Sequence, residues 1–183
     1  MTDVERIIDR YYNDNSRLRT ILTVHSRLVA DKALRCMKRS GLEADLQFVE
    51  EAAMLHDIGI FRCDAPDICC YGDRPYICHG IEGRAILEAE GLPRHALVCE
   101  RHTGAGLTVE DIVRQNLPLP HRDMTPQSIE EKVICYADKF YSKSGDIRKE
   151  KPIEKVIASM ARHGEDTLRR FMELHKMFGD ECR

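Results

Sequence analysis

His25, His56, Asp57, His79, His102 and Asp138 run along this chain as a series of imidazoles and carboxylates. These side chains suit divalent iron, manganese, cobalt, nickel or zinc, and two such ions held together can activate water or oxygen at neutral pH. Sequence periodicity aims several of them inward. Leu18, Leu22, Val29, Ala33 and Cys36 form an apolar helical stripe, and His25 stands inside it, three residues after Leu22 and four before Val29. Leu46, Val49, Ala53 and His56 repeat the device, and Asp138 shares a stripe with Ile134 and Tyr141. One histidine on such a face is usually a hydrogen-bonded core residue. Six metal-type groups spread over five helices are harder to explain that way, since an unpaired buried carboxylate is costly and a cation is the simplest compensation.

Consecutive helical residues diverge by about 100°, so His56 and Asp57 reach one ion only where their helix is ending. Ile58-Gly59 follows at once, and Gly59 is expected to supply the backbone freedom that turns the aspartate back. One ion could take His25, His56, Asp57 and Asp138, with room left for water. His79 and His102 are then available to a second. Asp57 has two carboxylate oxygens to bridge ions about 3.5–4 Å apart, with a solvent oxygen between them held as hydroxide.

The elements that must position these groups are helical, and no segment shows a period-two run of β-branched residues. The class is all-α. An amphipathic opening carries Val4, Ile7, Ile8 and Tyr11; Ser16 is placed to cap a long helix ending at Gly41. A helix over about 45–57 follows. Residues 60–78, with Pro66, Gly72 and Pro75, read as a long loop rimming a site. Helices then begin near His79 and at Pro93. Thr108 and Asp111 form a capping-box pattern, and Thr125-Pro126 is expected to open the helix that carries Asp138. Two packing helices close the chain, over about 152–162 and 164–178.

The chain has 183 residues, no repeat and no low-complexity linker, which fits a single domain over 1–183. A formal charge of -3 without a basic run points to a small polar substrate and away from a nucleic-acid polymer or a membrane surface. Residues 1–20 have no signal-peptide pattern, so a cytoplasmic protein is expected. Eight cysteines, at 36, 63, 69, 70, 78, 99, 135 and 182, have no regular spacing and read as free thiols. Cys63, Cys69, Cys70 and Cys78 lack the short paired spacing of a structural zinc site. His95, His163 and His175 read as ordinary surface or partly buried residues. His121, beside Arg122 in a long loop, is a possible substrate contact or a solvated tip.

The order histidine, His-Asp, aspartate resembles the HD-domain superfamily of metal-dependent phosphohydrolases, and Leu55-His56-Asp57-Ile58-Gly59 is similar to its HDIG subgroup. The resemblance covers about residues 20–145. His79 in His-Gly-Ile-Glu-Gly and His102 in Arg-His-Thr-Gly are like the extra histidines of the dinuclear branches. It implies a bundle of about five core helices plus flanking helices. It also implies a first ion on His25, His56, Asp57 and Asp138, with Asp57 bridging to a second on His79 and His102. Asp57, His79 and His102 would then be the catalytic set. Where related hydrolases often carry a lysine after the motif, Ile60 and Phe61 stand here. The Gly-Tyr-Pro motif of the cyclic-dinucleotide phosphodiesterases is missing. Hydrolases of diadenosine tetraphosphate share the ligand order, so the resemblance implies a nucleotide or dinucleoside polyphosphate cleaved by a metal-bridging hydroxide. Arg62, Arg101, Lys139 and Lys143 are the candidate phosphate contacts. Two other readings fit the same residues: a mixed-valent diiron oxygenase acting on an organophosphonate or polyol, and a metal-stabilised nucleotide sensor.

Overall fold

In a computed structural model that describes residues 2–179, Asp3 opens α1 (Val4–Tyr12) by accepting the Arg6 N–H. Asn15 caps the 25-residue α2 (Ser16–Ser40) by accepting the Leu18 N–H at 3.0 Å. The cap sits one residue before the expected Ser16, because Asn15 holds a non-helical φ of -131° and Ser16 is already in the first turn. Gly41 ends α2 at φ 69°, the left-handed position that its sequence context predicts. Asp45 caps α3 (Leu46–Leu55).

Residues 60–78 are not loop alone. Three strands, β1 (Cys63–Ala65), β2 (Cys70–Tyr71) and β3 (Arg74–Pro75), form a small sheet in the order β2-β1-β3. β1 and β2 are antiparallel with Asp64 opposite Tyr71, and β1 and β3 are parallel with Cys63 opposite Arg74. Strands of two and three residues are too short to print an alternation in the sequence. The molecule remains helical in class.

α4 (His79–Ala89) and α5 (Pro93–Arg101) pack as a pair, and α5 rests on α3 and on α7 (Ile129–Asp138). α3 and α7 both lie on α2. These five helices enclose the apolar core, in which Leu22, Val29, Ala33, Val49, Ala53, Leu55 and Ile134 are fully buried. Ser128 caps α7, three residues after the expected cap Thr125. Met124 is bridged to Leu107 through paired backbone hydrogen bonds of 2.8 and 3.3 Å, which keeps that stretch extended. The predicted capping box at Thr108 and Asp111 is formed, and it opens α6 (Val109–Arg114). α8 (Ile153–Ala161) and α9 (Glu165–Phe178) pack against each other, and α9 also lies on α7 and α2.

Cys63, Cys69, Cys70, Cys78, Cys99 and Cys135 are unpaired thiols, while Cys182 lies outside the described residues. Among the described residues, no helix is long and apolar enough to cross a membrane.

Candidate metal centre

α3 stops at Leu55, and the chain leaves it through tightened turns. Ile58 N–H donates to Leu55 O and Ile60 N–H to Asp57 O, each at 3.0 Å. These shorter steps swing Asp57 beside His56 instead of a helical 100° away. The Tyr12 hydroxyl donates to Ile58 O at 2.8 Å and fixes the turn from the side of α1. Gly59 has an ordinary right-handed φ of -85°, so backbone freedom is not what the position needs. It needs the missing Cβ: one built there would stand 2.3 Å from Gly83 N and 2.4 Å from His79 O. That close approach seats α4, and with it His79, against the motif.

Three histidines are aimed by one device. His56, His79 and His102 each stand at a helix boundary and donate Nδ1–H to the carbonyl three residues earlier, on Ala53, Tyr76 and Cys99, each at 2.7 Å. A carbonyl can only accept, so Nδ1 carries a proton, and in the neutral ring Nε2 is the nitrogen that presents a lone pair. His25 reaches the same place from the middle of α2, and Asp138 from the last residue of α7. All six residues are buried, with Asp138 the most open at 8%.

The Nε2 nitrogens and the carboxylate oxygens face one another. His56 Nε2 stands 3.1 Å from Asp57 Oδ2 and 3.4 Å from Asp138 Oδ1; His25 Nε2 stands 3.2 and 2.9 Å from the same two oxygens. On the other side of Asp57, Oδ1 lies 3.5 Å from His79 Nε2 and 3.4 Å from His102 Nε2, and those two nitrogens are 3.0 Å apart. Among the described residues, these contacts and the ion pair of Lys143 with Asp57 are what surround the Asp57 oxygens and His56 Nε2, which have no better-aligned hydrogen bond. Two groups of donor atoms, His25/His56/Asp57/Asp138 and Asp57/His79/His102, thus converge and share Asp57. Buried imidazole nitrogens and carboxylate oxygens within 4.8 Å of one another in each group are a donor set that fits divalent metal ions.

The charges around the two groups differ. Burial pulls the His56 imidazole down, but the Asp57 and Asp138 carboxylates, 3.1 and 3.4 Å from Nε2, outweigh it and carry it up to about 9. A metal ion entering that group displaces a proton. His79 moves the other way, to about 3, through burial first and the neighbouring His102 second. His102 is also lowered, chiefly by burial. Asp57 and Asp138 stay well below the usual carboxylate range: burial opposes this, and His56 with Lys143, and Lys139 with Lys143, overcome it.

Residues 23–143 match the HD domain family. The chain belongs to it. This membership places the protein in a superfamily of metal-dependent phosphohydrolase type. Two relatives are named tRNA (cytidine(56)-2'-O)-methyltransferase. One, from Thermoplasma volcanium, is 31% identical over 83% of this chain and 40% of its own length. The other, from Picrophilus torridus, is 31% identical over 77% of this chain and 37% of its own. An uncharacterised protein of Methanocaldococcus jannaschii is 37% identical over 56% of this chain and 53% of its own. The chain therefore spans about half the length of these relatives or less. No solved structure matches it.

Around the HD centre, the four basic residues named from the sequence separate into two pairs. Lys143 Nζ lies 2.7 Å from Asp57 Oδ2, and Lys139 Nζ lies 2.7 Å from Asp138 Oδ2 and donates to His102 O at 3.0 Å. Arg62 instead pairs with Glu82 at 2.9 Å, and Arg101 with both oxygens of Glu131 at 3.0 and 3.1 Å. His121 is exposed, and Arg122 joins Arg84 in clamping the buried Glu100 carboxylate. His95 is buried, with Glu51 at 3.5 Å and Phe48 against its ring. His175 meets the Tyr136 hydroxyl at 2.9 Å.

Sequence reading missed Tyr76 and Lys151. Tyr76 stacks on His79 with ring centres 4.7 Å apart and walls a cleft together with Ile68, Tyr141, Lys143 and Lys151. The neighbouring lysines at 139 and 143 were the available signal for Lys151. Tyr76 carried none, because its place depends on the small sheet.

Proposed function

We propose that this protein is a metal-dependent phosphohydrolase acting on a small phosphorylated substrate of nucleotide type, with cleavage at the HD centre. The observation that supports the reading best is that two buried groups of imidazole nitrogens and carboxylate oxygens converge, share Asp57, and lie beside a lysine-lined cleft that Asp138 borders. His25, His56, Asp57 and Asp138 would hold one divalent ion, and Asp57, His79 and His102 a second. When bound, such ions polarise a phosphoryl oxygen and lower the pKa of water enough to supply a nucleophile near neutrality.

The chain's own residues do the rest. Carbonyls of Ala53, Tyr76 and Cys99 hold the three imidazoles in the tautomer that points Nε2 inward. Lys139 and Lys143 supply positive charge where non-bridging phosphate oxygens would come to rest. Lys143 is raised well above its ordinary value: burial opposes the rise, and Asp57 outweighs it. Its ammonium stands 2.7 Å from Asp57 Oδ2, placed to anchor a phosphate oxygen beside the centre. Tyr76, Tyr141 and Ile68 line a half-apolar cleft of about 410 Å³ that suits a planar leaving group such as a nucleoside.

The methyltransferase relatives bring a transfer RNA into consideration, but this chain matches less than half of each, and lysines beside a metal-type cluster suit phosphate removal. The test is phosphate release from a panel of nucleoside mono- and polyphosphates, dinucleoside polyphosphates and phosphorylated RNA ends. The expected result is metal-dependent release from the small nucleotides, lost in His79→Ala. Absence of release from every ester by metal-loaded protein would overturn the reading, and oxygen uptake by an iron-loaded sample would replace it with an oxygenase.

A further inference from the structure

The cleft bordered by Asp138 continues away from the centre, between the segment following α7 and one face of α8. Its volume is about 480 Å³. Four lysines and an arginine line it, Lys139, Lys143, Lys151, Lys155 and Arg162, and Asp138 is the one acidic wall residue. Lys139 and Lys143 are already committed to the Asp138 and Asp57 carboxylates. The remaining three are not so matched. Among the described residues, Lys151 Nζ reaches only backbone carbonyls, Lys139 O at 3.4 Å and Tyr141 O at 3.3 Å. Burial holds that amine below its ordinary value; Asp138 works against this, and the nearby Lys139 and Lys143 add to it.

Lys155, Ser159 and Arg162 are spaced by four and three residues, which puts them on one face of α8. Among the described residues, neither Lys155 nor Arg162 is held in an ion pair. The strip from Lys155 to Arg162 runs about 10 Å along the helix axis, longer than one phosphate at the centre would cover. A row of uncompensated cations leading from a phosphate-type centre is what a second anionic group on the same ligand would neutralise.

We propose that Lys151, Lys155, Ser159 and Arg162 form a subsite for a second phosphoryl group, so that the preferred ligand carries a phosphate beside the one attacked. Which phosphate is cleaved rests on the hydrolase reading, whereas binding at this subsite does not. The second phosphate has two sources: the next phosphate of a nucleoside polyphosphate, or the phosphodiester of an adjoining nucleotide.

The test is calorimetric titration of the full chain with inorganic orthophosphate and pyrophosphate, in the native protein and in the Lys155→Gln/Arg162→Gln double variant. Both replaced side chains are exposed, so the fold is preserved. The native chain is expected to bind pyrophosphate about tenfold more tightly than orthophosphate, and the double variant to lose that preference while orthophosphate affinity holds. Competition by a nucleoside 5′-diphosphate or by a 5′-phosphorylated dinucleotide identifies the source, and dependence of either on the two residues supports the subsite. Equal affinity for the two anions in the native chain, or a preference surviving in the double variant, overturns it even if ester hydrolysis has been demonstrated. A preference that depends on α8 in a protein without hydrolytic activity keeps the subsite and removes the hydrolase reading.

Discussion

Asp57 offers one oxygen to each group of donors, Oδ2 toward His25 and His56 and Oδ1 toward His79 and His102. Replacing it by Asn leaves shape nearly unchanged but removes the charge that both groups share and puts an amide N–H₂ among lone pairs. Asp57→Asn is expected to lower bound metal at both positions. Its activity should fall by more than the roughly 100-fold that loss of a residue orienting a ligand costs. Elemental analysis beside phosphate-release kinetics checks this, and full metal content would contradict it. The six residues were legible because their types are unusual on apolar stripes and because Leu55-His56-Asp57-Ile58-Gly59 is a specific string. What sequence could not give is the tautomer: the Nδ1–H bonds to Ala53, Tyr76 and Cys99 arise from helix ends, and side-chain identity does not encode them.

Helix ends and close approaches hold the centre together. Gly59→Ala drives a methyl group into the backbone of His79 and Gly83, with contacts of 2.4 and 2.3 Å that no rotamer relieves. The expected cost is about 1–3 kcal/mol, read as a lower urea midpoint, with metal lost first from the His79/His102 group as α4 moves. Unchanged stability would mean that α4 is not seated through this glycine. Glu51 on α3 gives a pH prediction away from the metal-type residues. Burial raises its carboxyl, but bonds from Gln47 and Thr2 outweigh it and bring it from 4.5 to about 2. A folded-state value below the unfolded one stabilises above about pH 4.5, and the gain is lost as pH falls toward 2. The difference in melting temperature between the native chain and Glu51→Gln should therefore shrink across that interval; a constant difference would refute the assignment. Periodicity revealed the helices, since each core helix carries an apolar stripe. It misplaced the start of α7, where pairing of Met124 with Leu107 keeps the chain extended, and it could not detect strands of two or three residues.

In the whole molecule, chemistry and reactive groups are segregated. Cys63, Cys70, Cys78, Cys99 and Cys135 are fully buried, and burial pushes the thiols of Cys63 and Cys135 up to about 11 and that of Cys70 up to about 12. Buried neutral thiols react slowly. Alkylation of the folded protein at neutral pH should label the half-buried Cys69 well before these five, with all of them reacting after denaturation. Rapid native labelling of Cys63 or Cys70 would show the small sheet to be open. The basic cleft was partly legible, since Lys139 and Lys143 follow Asp138 closely, whereas α8 read as a packing helix because its cleft-facing side is visible only once the segment after α7 is in place. The central claim is that the buried acceptors form a divalent-metal centre with Asp57 shared. Titration of chelator-treated protein with manganese or iron, read by elemental analysis and thermal stability, tests it most directly. Two ions per chain, each raising stability, with the second lost in His102→Ala and the first retained, is the predicted result; a folded native chain that takes up no ion would contradict it.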